Sequence, residues 1–208
     1  MTQYTIKDYN HLLAGDSKVA GDSGTALVGL SDTMLSNHFT LYAGYVNNVN
    51  TLITKMNEIR IERMGGTDTR KEESAELHRR FGWEYNGMKL HELYFENLTK
   101  EAKNIDENSN IYKAITERFT SFDNFMFNFK KNVGMFRGIG WVALIKRDDT
   151  LGVIWIGEHD EGLLANSKIL LIMDCFEHAY MTDYGIKKAD YIEAFVKNIN
   201  WEVVEERM

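Results

Sequence analysis

Two long amphipathic segments, separated by a pair of glycines, constrain the fold of this chain more than any other feature. After Ser31, apolar residues recur every three or four positions, which predicts a long helix. Its stripe contains Leu35, Phe39, Tyr42, Val46, Val49, Ile53, Met56 and Ile59. After the turn signal Gly65-Gly66, a second stripe contains Leu77, Phe81, Tyr85, Met88, His91, Phe95 and Leu98. Two long helices with so short a connection are expected to form an antiparallel hairpin.

The second half of the chain has a different pattern, in which helical segments enclose short apolar runs typical of strands. The expected helices are residues 111–131, 176–184 and 189–199, and the expected strands are 141–145, 151–156 and 168–173. The first two strands flank a polar turn and predict a β-hairpin. The predicted fold is therefore α+β, with an N-terminal helical hairpin (31–103) and a C-terminal domain containing a three-stranded antiparallel sheet (104–208).

An N-terminal arm, residues 1–30, precedes the hairpin. Its Gly-rich stretch, residues 14–29, is interpreted as a loop. Within it, Gly21-Asp22-Ser23-Gly24 resembles the nucleophile segment of trypsin-like serine proteases. That chemistry needs a histidine and an aspartate on a β-barrel, and the surrounding chain is not rich in strands. A chance match is the better interpretation.

Charge and cysteine content restrict the partners and the compartment. The net charge of −7 argues against a nucleic-acid-binding protein, whose affinity comes from an excess of Lys and Arg. The apolar runs are too short to span a membrane. The single cysteine, Cys175, excludes an intrachain disulfide, and the first residues contain no apolar leader. A location in the reducing cytoplasm is therefore expected.

Two histidines lie on the helical stripes at matching distances from the turn. His38 precedes Gly65 by 27 positions, and His91 follows it by 26. On antiparallel helices, equal distance from the turn gives equal height, so the two imidazoles can face each other. One histidine on an apolar stripe is more often a packed core residue than a ligand. Two neutral imidazoles buried together, however, need a shared metal or hydrogen-bond partner.

A second pair, Asp174 and His178, follows the third predicted strand at a spacing of four residues. A carboxylate at the end of a core strand needs a cation or hydrogen-bond donors, and the alternative role is a helix N-cap. The spacing to His178 favours a ligand pair. Three histidines and one aspartate suit iron, manganese or zinc, and the lack of cysteine disfavours a structural zinc site. Such a site would lie between the two domains.

Several motifs, in order along the chain, resemble those of the iron/manganese superoxide dismutase family. The most specific is DCFEHAY at residues 174–180, with Phe176 where tryptophan is commoner. The others are YVNN at 45–48, Asn86-Gly87 before His91, Ser121-Phe122-Asp123, and NINWE at 198–202. The resemblance covers roughly residues 31–208, and the combination is specific.

The resemblance implies that the protein disproportionates superoxide to dioxygen and hydrogen peroxide at a mononuclear site with one iron or manganese ion per chain. The implied ligands are His38, His91, Asp174 and His178, the same four residues that the spacing indicates. The sequence does not choose between iron and manganese. The alternative is a weakly active or inactive relative that keeps the fold as a metal-binding or structural protein.

Further roles are implied for side chains around the metal. Tyr45 and His159 are expected to be catalytic, with His159 hydrogen-bonding the solvent on the metal and Gly87 fitting a donor that comes from the second domain. Trp141 is expected to line the pocket. Glu177 is expected to pair with a ligand histidine of a second copy, so a homodimer is predicted and a tetramer stays open.

Two departures from the family pattern concern the gateway tyrosine and the dimer contact. The family's first ligand lies eight residues before that tyrosine, whereas His38 lies seven before Tyr45 and four before Tyr42. Either tyrosine is a candidate, and Tyr45 has the better local match. Met181 replaces a tyrosine that normally supports the dimer contact and the proton network.

Overall fold

The computed structural model describes residues 3–14 and 26–208. The protease-like segment, residues 21–24, and most of the Gly-rich loop lie outside the described residues. Among the helices in the described part, none is long and apolar enough to cross a membrane.

The two long helices form as the apolar stripes predict. Helix α1 spans Asp32–Met64, and its first turn is capped by the Ser31 hydroxyl, which accepts from the Met34 N–H. The chain turns at Gly65, and helix α2 spans Lys71–Glu96. The apolar faces of α1 and α2 pack against each other along the hairpin. The hairpin prediction is therefore confirmed.

The predicted single helix over residues 111–131 is wrong, because the chain breaks in its middle. Helix α3 spans Asn110–Phe119, and helix α4 spans Phe122–Met135. Thr120 between them has a positive φ of 74°, which no helix interior allows. Ser121 then caps α4 by accepting from the Asn124 N–H.

The three strands form one antiparallel sheet. They are β1 (Trp141–Arg147), β2 (Thr150–Ile156) and β3 (Lys168–Asp174), in the spatial order β2-β1-β3. The central strand β1 is buried over its first five residues. Its first residue, Trp141, pairs with Asp174, the last residue of β3, so both lie at the same end of the sheet. The predicted strands and their β-hairpin are confirmed.

The end of the chain is more broken than predicted. Residues 176–184 are not one helix but a 3₁₀ turn, Glu177–Ala179, followed by the short helix α5 (Met181–Tyr184). Helix α6 spans Lys188–Lys197, and a further helix, α7 (Trp201–Glu206), begins within the NINWE motif, which resembles the family's C-terminal helix.

The C-terminal half returns to the hairpin at the end of α2. An isolated bridge joins Leu98, just after α2, to Ile199. The Asn97 side chain donates to the carbonyl of Ile172 in the sheet. The predicted domain boundary between residues 103 and 104 stays a prediction.

Candidate metal centre

The helical hairpin brings His38 and His91 together, as equal distance from the turn predicts. Both side chains are fully buried, and their ring centroids are 5.0 Å apart. His91 Nδ1 lies 2.6 Å from the carbonyl oxygen of Gly87, one turn earlier on α2, and donates to it. That bond leaves the Nε2 lone pair of His91 directed away from its own helix.

The sheet contributes Asp174, whose two carboxylate oxygens have different partners. Oδ1 accepts from the Phe176 N–H at 2.8 Å and so organises the turn after β3. Oδ2 faces the three imidazoles, at 3.1 Å from His38 Nε2, 3.2 Å from His178 Nε2 and 3.8 Å from His91 Nε2. Asp174 is therefore not a helix N-cap, since Phe176 holds that position without a side-chain cap bond; Oδ1 shapes the turn, and Oδ2 makes the ligand-type contacts.

The four side chains form a group of potential ligands. One nitrogen or oxygen atom from each of His38, His91, Asp174 and His178 lies within 4.8 Å of the others. His38, His91 and Asp174 are fully buried, and the His178 side chain is 24% exposed. Two residues come from the hairpin, Asp174 is the last residue of β3, and His178 lies in the turn that follows, so the group forms only when both parts are folded together.

Burial and mutual contacts perturb every pKa in this group. Burial lowers the pKa of His38 and lowers that of His91 well below its ordinary value, so both imidazoles are neutral. Burial disfavours the charged forms of His178 and Asp174 as well. Their mutual attraction outweighs this effect, because the pKa of His178 is raised and that of Asp174 is lowered.

This arrangement fits a metal ion. Among the described residues, the buried atoms His91 Nε2 and His38 Nδ1 have no hydrogen-bond partner, although most buried polar atoms do. The neutral His91 Nε2 is a lone pair facing an ionised carboxylate, and a cation between them would satisfy both. Three imidazoles and one carboxylate are ligands that suit iron or manganese.

A row of hydrogen bonds lies beside the ligand group. The Trp141 Nε1–H donates to His159 Nδ1 at 3.1 Å, and His159 Nε2 lies 2.7 Å from Tyr45 Oη. The Tyr45 and Trp141 rings lie 5.0 and 4.9 Å from the imidazole of His91. The structure thus places Tyr45, His159 and Trp141 together next to one ligand.

Tyr42 lies elsewhere. Its hydroxyl donates to Glu92 Oε1 at 3.2 Å and accepts from the Lys7 N–H at 3.2 Å. Its ring packs on Phe95 and Tyr9. Tyr42 therefore ties the N-terminal segment to the hairpin, and its hydroxyl bonds to Glu92, whereas that of Tyr45 bonds to His159.

The other residues singled out in the sequence do not belong to the ligand group. Glu177 is exposed beside His178. Cys175 is buried, and burial raises the pKa of its thiol to about 12, in agreement with an inert packing role. His11 and His78 are exposed.

Two aromatic neighbours of the row have contacts that sequence reasoning did not predict. The Trp83 ring lies 4.5 Å from the His159 imidazole and 5.6 Å from the Tyr45 ring. The Phe176 ring stacks on His159 at 5.0 Å. Trp83 precedes Gly87 and His91 at steps of four residues on α2, and that spacing is the signal from which its place on this face could have been predicted.

Comparisons with known proteins agree with this geometry. A family model described as iron/manganese superoxide dismutases, C-terminal domain, matches residues 107–207. The chain is 33% identical over 182 residues to an iron superoxide dismutase of Aquifex pyrophilus, covering 87% of this chain and 85% of that protein. It is 30% identical over 193 residues to one of Cupriavidus metallidurans, covering 90% and 92%. One from Saccharolobus solfataricus is 29% identical over 170 residues, covering 80% and 79%. Identity at this level over most of both chains establishes the kinship: the chain belongs to the iron/manganese superoxide dismutase family.

Proposed function

We propose that this chain disproportionates superoxide to dioxygen and hydrogen peroxide, with one iron or manganese ion held by His38, His91, Asp174 and His178. The observation that carries the proposal is the convergence of three imidazole nitrogens on Oδ2 of Asp174, with His91 Nε2 unpaired among the described atoms. The chemistry that such an ion supplies when bound is the transfer of one electron from one superoxide anion to the next.

Tyr45 and His159 handle the protons that peroxide formation consumes. Because Trp141 has only a donor, His159 Nδ1 must accept from it, and the neutral imidazole carries its proton on Nε2. Burial lowers the pKa of His159 to about 4, so this neutral tautomer persists at physiological pH. His159 Nε2–H then donates to Tyr45 Oη.

The Tyr45 hydroxyl proton is consequently free to be donated into the site. Burial raises the pKa of Tyr45 well above its ordinary value, so the phenol holds that proton until it is needed. Tyr42 has no such position, because its hydroxyl already donates to Glu92. These contacts support Tyr45 as the gateway tyrosine.

Iron is the ion that we propose for the working enzyme. The relatives in Aquifex pyrophilus and Cupriavidus metallidurans carry iron in their names. The ligand set itself accepts manganese equally.

A homodimer and a cytoplasmic location complete the proposal. His178 is the most exposed of the four ligands, and the adjacent Glu177 is exposed, so the carboxylate can reach the corresponding histidine of a second copy. Met181 and Ile186, 45% and 92% exposed, add apolar surface to the same part of the chain. The free, buried Cys175 suits a reducing compartment.

Elemental analysis combined with a dismutase assay tests the proposal. Wild-type protein, expressed with both metals available, is expected to contain one ion per chain, predominantly iron, and to be active. Asp174→Ala is expected to lose the ion and the activity. His178→Ala, at the most exposed ligand, serves as a second variant should Asp174→Ala fold poorly. Asp149→Ala, at the exposed turn between β1 and β2, is the matched control. A folded wild type without iron or manganese would contradict the proposal.

A further inference from the structure

His159 extends from a loop and not from a strand. It lies in a tight turn after β2, closed by two backbone hydrogen bonds between Gly157 and Glu161, at 2.8 and 3.1 Å. The orientation of a side chain on a loop is less fixed than that of one on a strand or helix, so a functional side chain there needs support from its neighbours. The two hydrogen bonds of the His159 imidazole depend on the orientation of its ring.

Trp83 on α2 supplies such support from the side. Its indole ring packs edge-on against His159, with centroids 4.5 Å apart and an interplanar angle of 63°. The guanidinium of Arg80 lies 4.3 Å from the centre of the same indole. Trp83 is thus in contact with both Arg80 and His159.

Glu158 connects this indole to the loop. The Trp83 Nε1–H donates to Glu158 Oε2 at 3.0 Å, which links α2 to the residue immediately before His159. The link crosses from the helical hairpin to the part of the chain that carries the sheet.

The backbone of Glu158 is in an unfavourable conformation. Its φ is +47°, in the left-handed region, which a residue with a Cβ rarely adopts and which glycine adopts readily. Strained residues of this kind cluster near functional sites. What glutamate offers here, and glycine does not, is the carboxylate that accepts from Trp83.

We propose that Glu158 is a positioning residue: by holding Trp83 against the His159 imidazole, it keeps His159 Nε2 within hydrogen-bond distance of Tyr45 Oη. The proposal rests on the proposed function, in which His159 and Tyr45 handle protons. Glu158 itself touches neither Tyr45 nor the four ligands in the described contacts.

Four variants of the metal-loaded protein test this role. Glu158→Gly removes the acceptor and relieves the backbone strain, and Trp83→Phe removes the donor but keeps a ring. Glu158→Gln keeps an oxygen acceptor for the indole. Asp160→Asn removes a neighbouring exposed carboxylate on the other side of His159 and is the matched control.

Crystal structures and the turnover number are the readouts, with metal content and the thermal midpoint measured in parallel. In Glu158→Gly and Trp83→Phe, the His159 Nε2 to Tyr45 Oη distance is expected to exceed the hydrogen-bonding range, and turnover to fall roughly three- to tenfold. Metal content is expected to stay unchanged, and the midpoint of Glu158→Gly not to fall. Glu158→Gln and Asp160→Asn are expected to keep the 2.7 Å contact and the wild-type rate.

Three results would overturn the positioning role. The first is an unchanged contact and rate in Glu158→Gly and Trp83→Phe. The second is a loss in Glu158→Gly alone, which would indicate loop flexibility. The third is an equal loss in Glu158→Gln, where the acceptor is kept. An inactive wild type would instead refute the proposed function, and the crystallographic distance would still test the positioning of His159.

Discussion

Gly87 lies where a side chain would collide with Tyr45, and Gly87→Ala is therefore a direct test of the site. A Cβ at Gly87 would lie 2.6 Å from both Cδ1 and Cε1 of the Tyr45 ring, well inside van der Waals contact. The ring is held by the His159 hydrogen bond and packs beside His91. It has to move by roughly 1 Å to reach an ordinary contact distance, which breaks the hydrogen bond.

Two opposing effects set the change in the free energy of unfolding. Overpacking costs about 1–3 kcal/mol. Replacing a helix-interior glycine by alanine stabilises by about 0.5–1 kcal/mol. Gly82, five residues earlier on α2, isolates the second effect, because a Cβ there would meet no described atom within 4 Å. The free energy of unfolding of Gly87→Ala is therefore expected to be about 1–3 kcal/mol lower than that of Gly82→Ala. Each kcal/mol corresponds to a decrease of roughly 2–4 °C in the thermal midpoint.

Activity separates the two variants further. Gly82→Ala is expected to keep the wild-type dismutase rate, and Gly87→Ala to lose on the order of tenfold, because Tyr45 leaves its position. Thermal unfolding and pulse-radiolysis kinetics on the metal-loaded proteins measure both quantities. If Gly87→Ala were as stable and as active as Gly82→Ala, the position of the Tyr45 ring, and with it the proposed role of that residue, would be wrong.

Further predictions concern the tyrosines and the acid limit of stability. Tyr45→Phe is expected to reduce the dismutase rate by about tenfold or more, since it removes the donated proton, whereas Tyr42→Phe is expected to keep the rate and lose about 1 kcal/mol of stability with its hydrogen bond to Glu92. His159 has a lowered folded-state pKa of about 4 against 6.5 unfolded, so its neutral burial contributes stability above pH 6.5 that is lost as the pH falls toward 4. His159→Gln should therefore flatten the fall of the free energy of unfolding between pH 6.5 and 4, and equal slopes in wild type and His159→Gln would refute this assignment.

The sequence predicted the helical hairpin and its two histidines because both depend on regular periodicity. A stripe that repeats over about seven turns, with Ser31 capping the start of the helix and Gly65 after its end, leaves few alternative structures. The height of His38 against His91 then follows from the rise per residue alone. The strands could be predicted equally well, since each is a short apolar run bounded by polar residues.

The breaks in the C-terminal half could not be predicted from periodicity. The apolar spacing continues through residues 111–131, and only the positive φ of Thr120 separates α3 from α4. The turn at Glu177–Ala179 is organised by the carboxylate of Asp174, a tertiary feature of the site. The hydrogen bond from Trp83 to Glu158 joins residues 75 positions apart, and no local pattern predicts such a contact.

The distribution of the ligands over the two parts of the chain has an energetic consequence. Without an ion, the folded protein buries the ionised Asp174 beside His38 and His91, which burial keeps neutral, and leaves His91 Nε2 unpaired among the described atoms, which costs several kcal/mol of desolvation. An ion that binds these four side chains offsets that cost, and it can do so only when the hairpin is docked on the sheet. The free energy that binds the metal therefore also holds the two parts together, and the Tyr45–His159 contact, which crosses the same junction, is positioned by that docking.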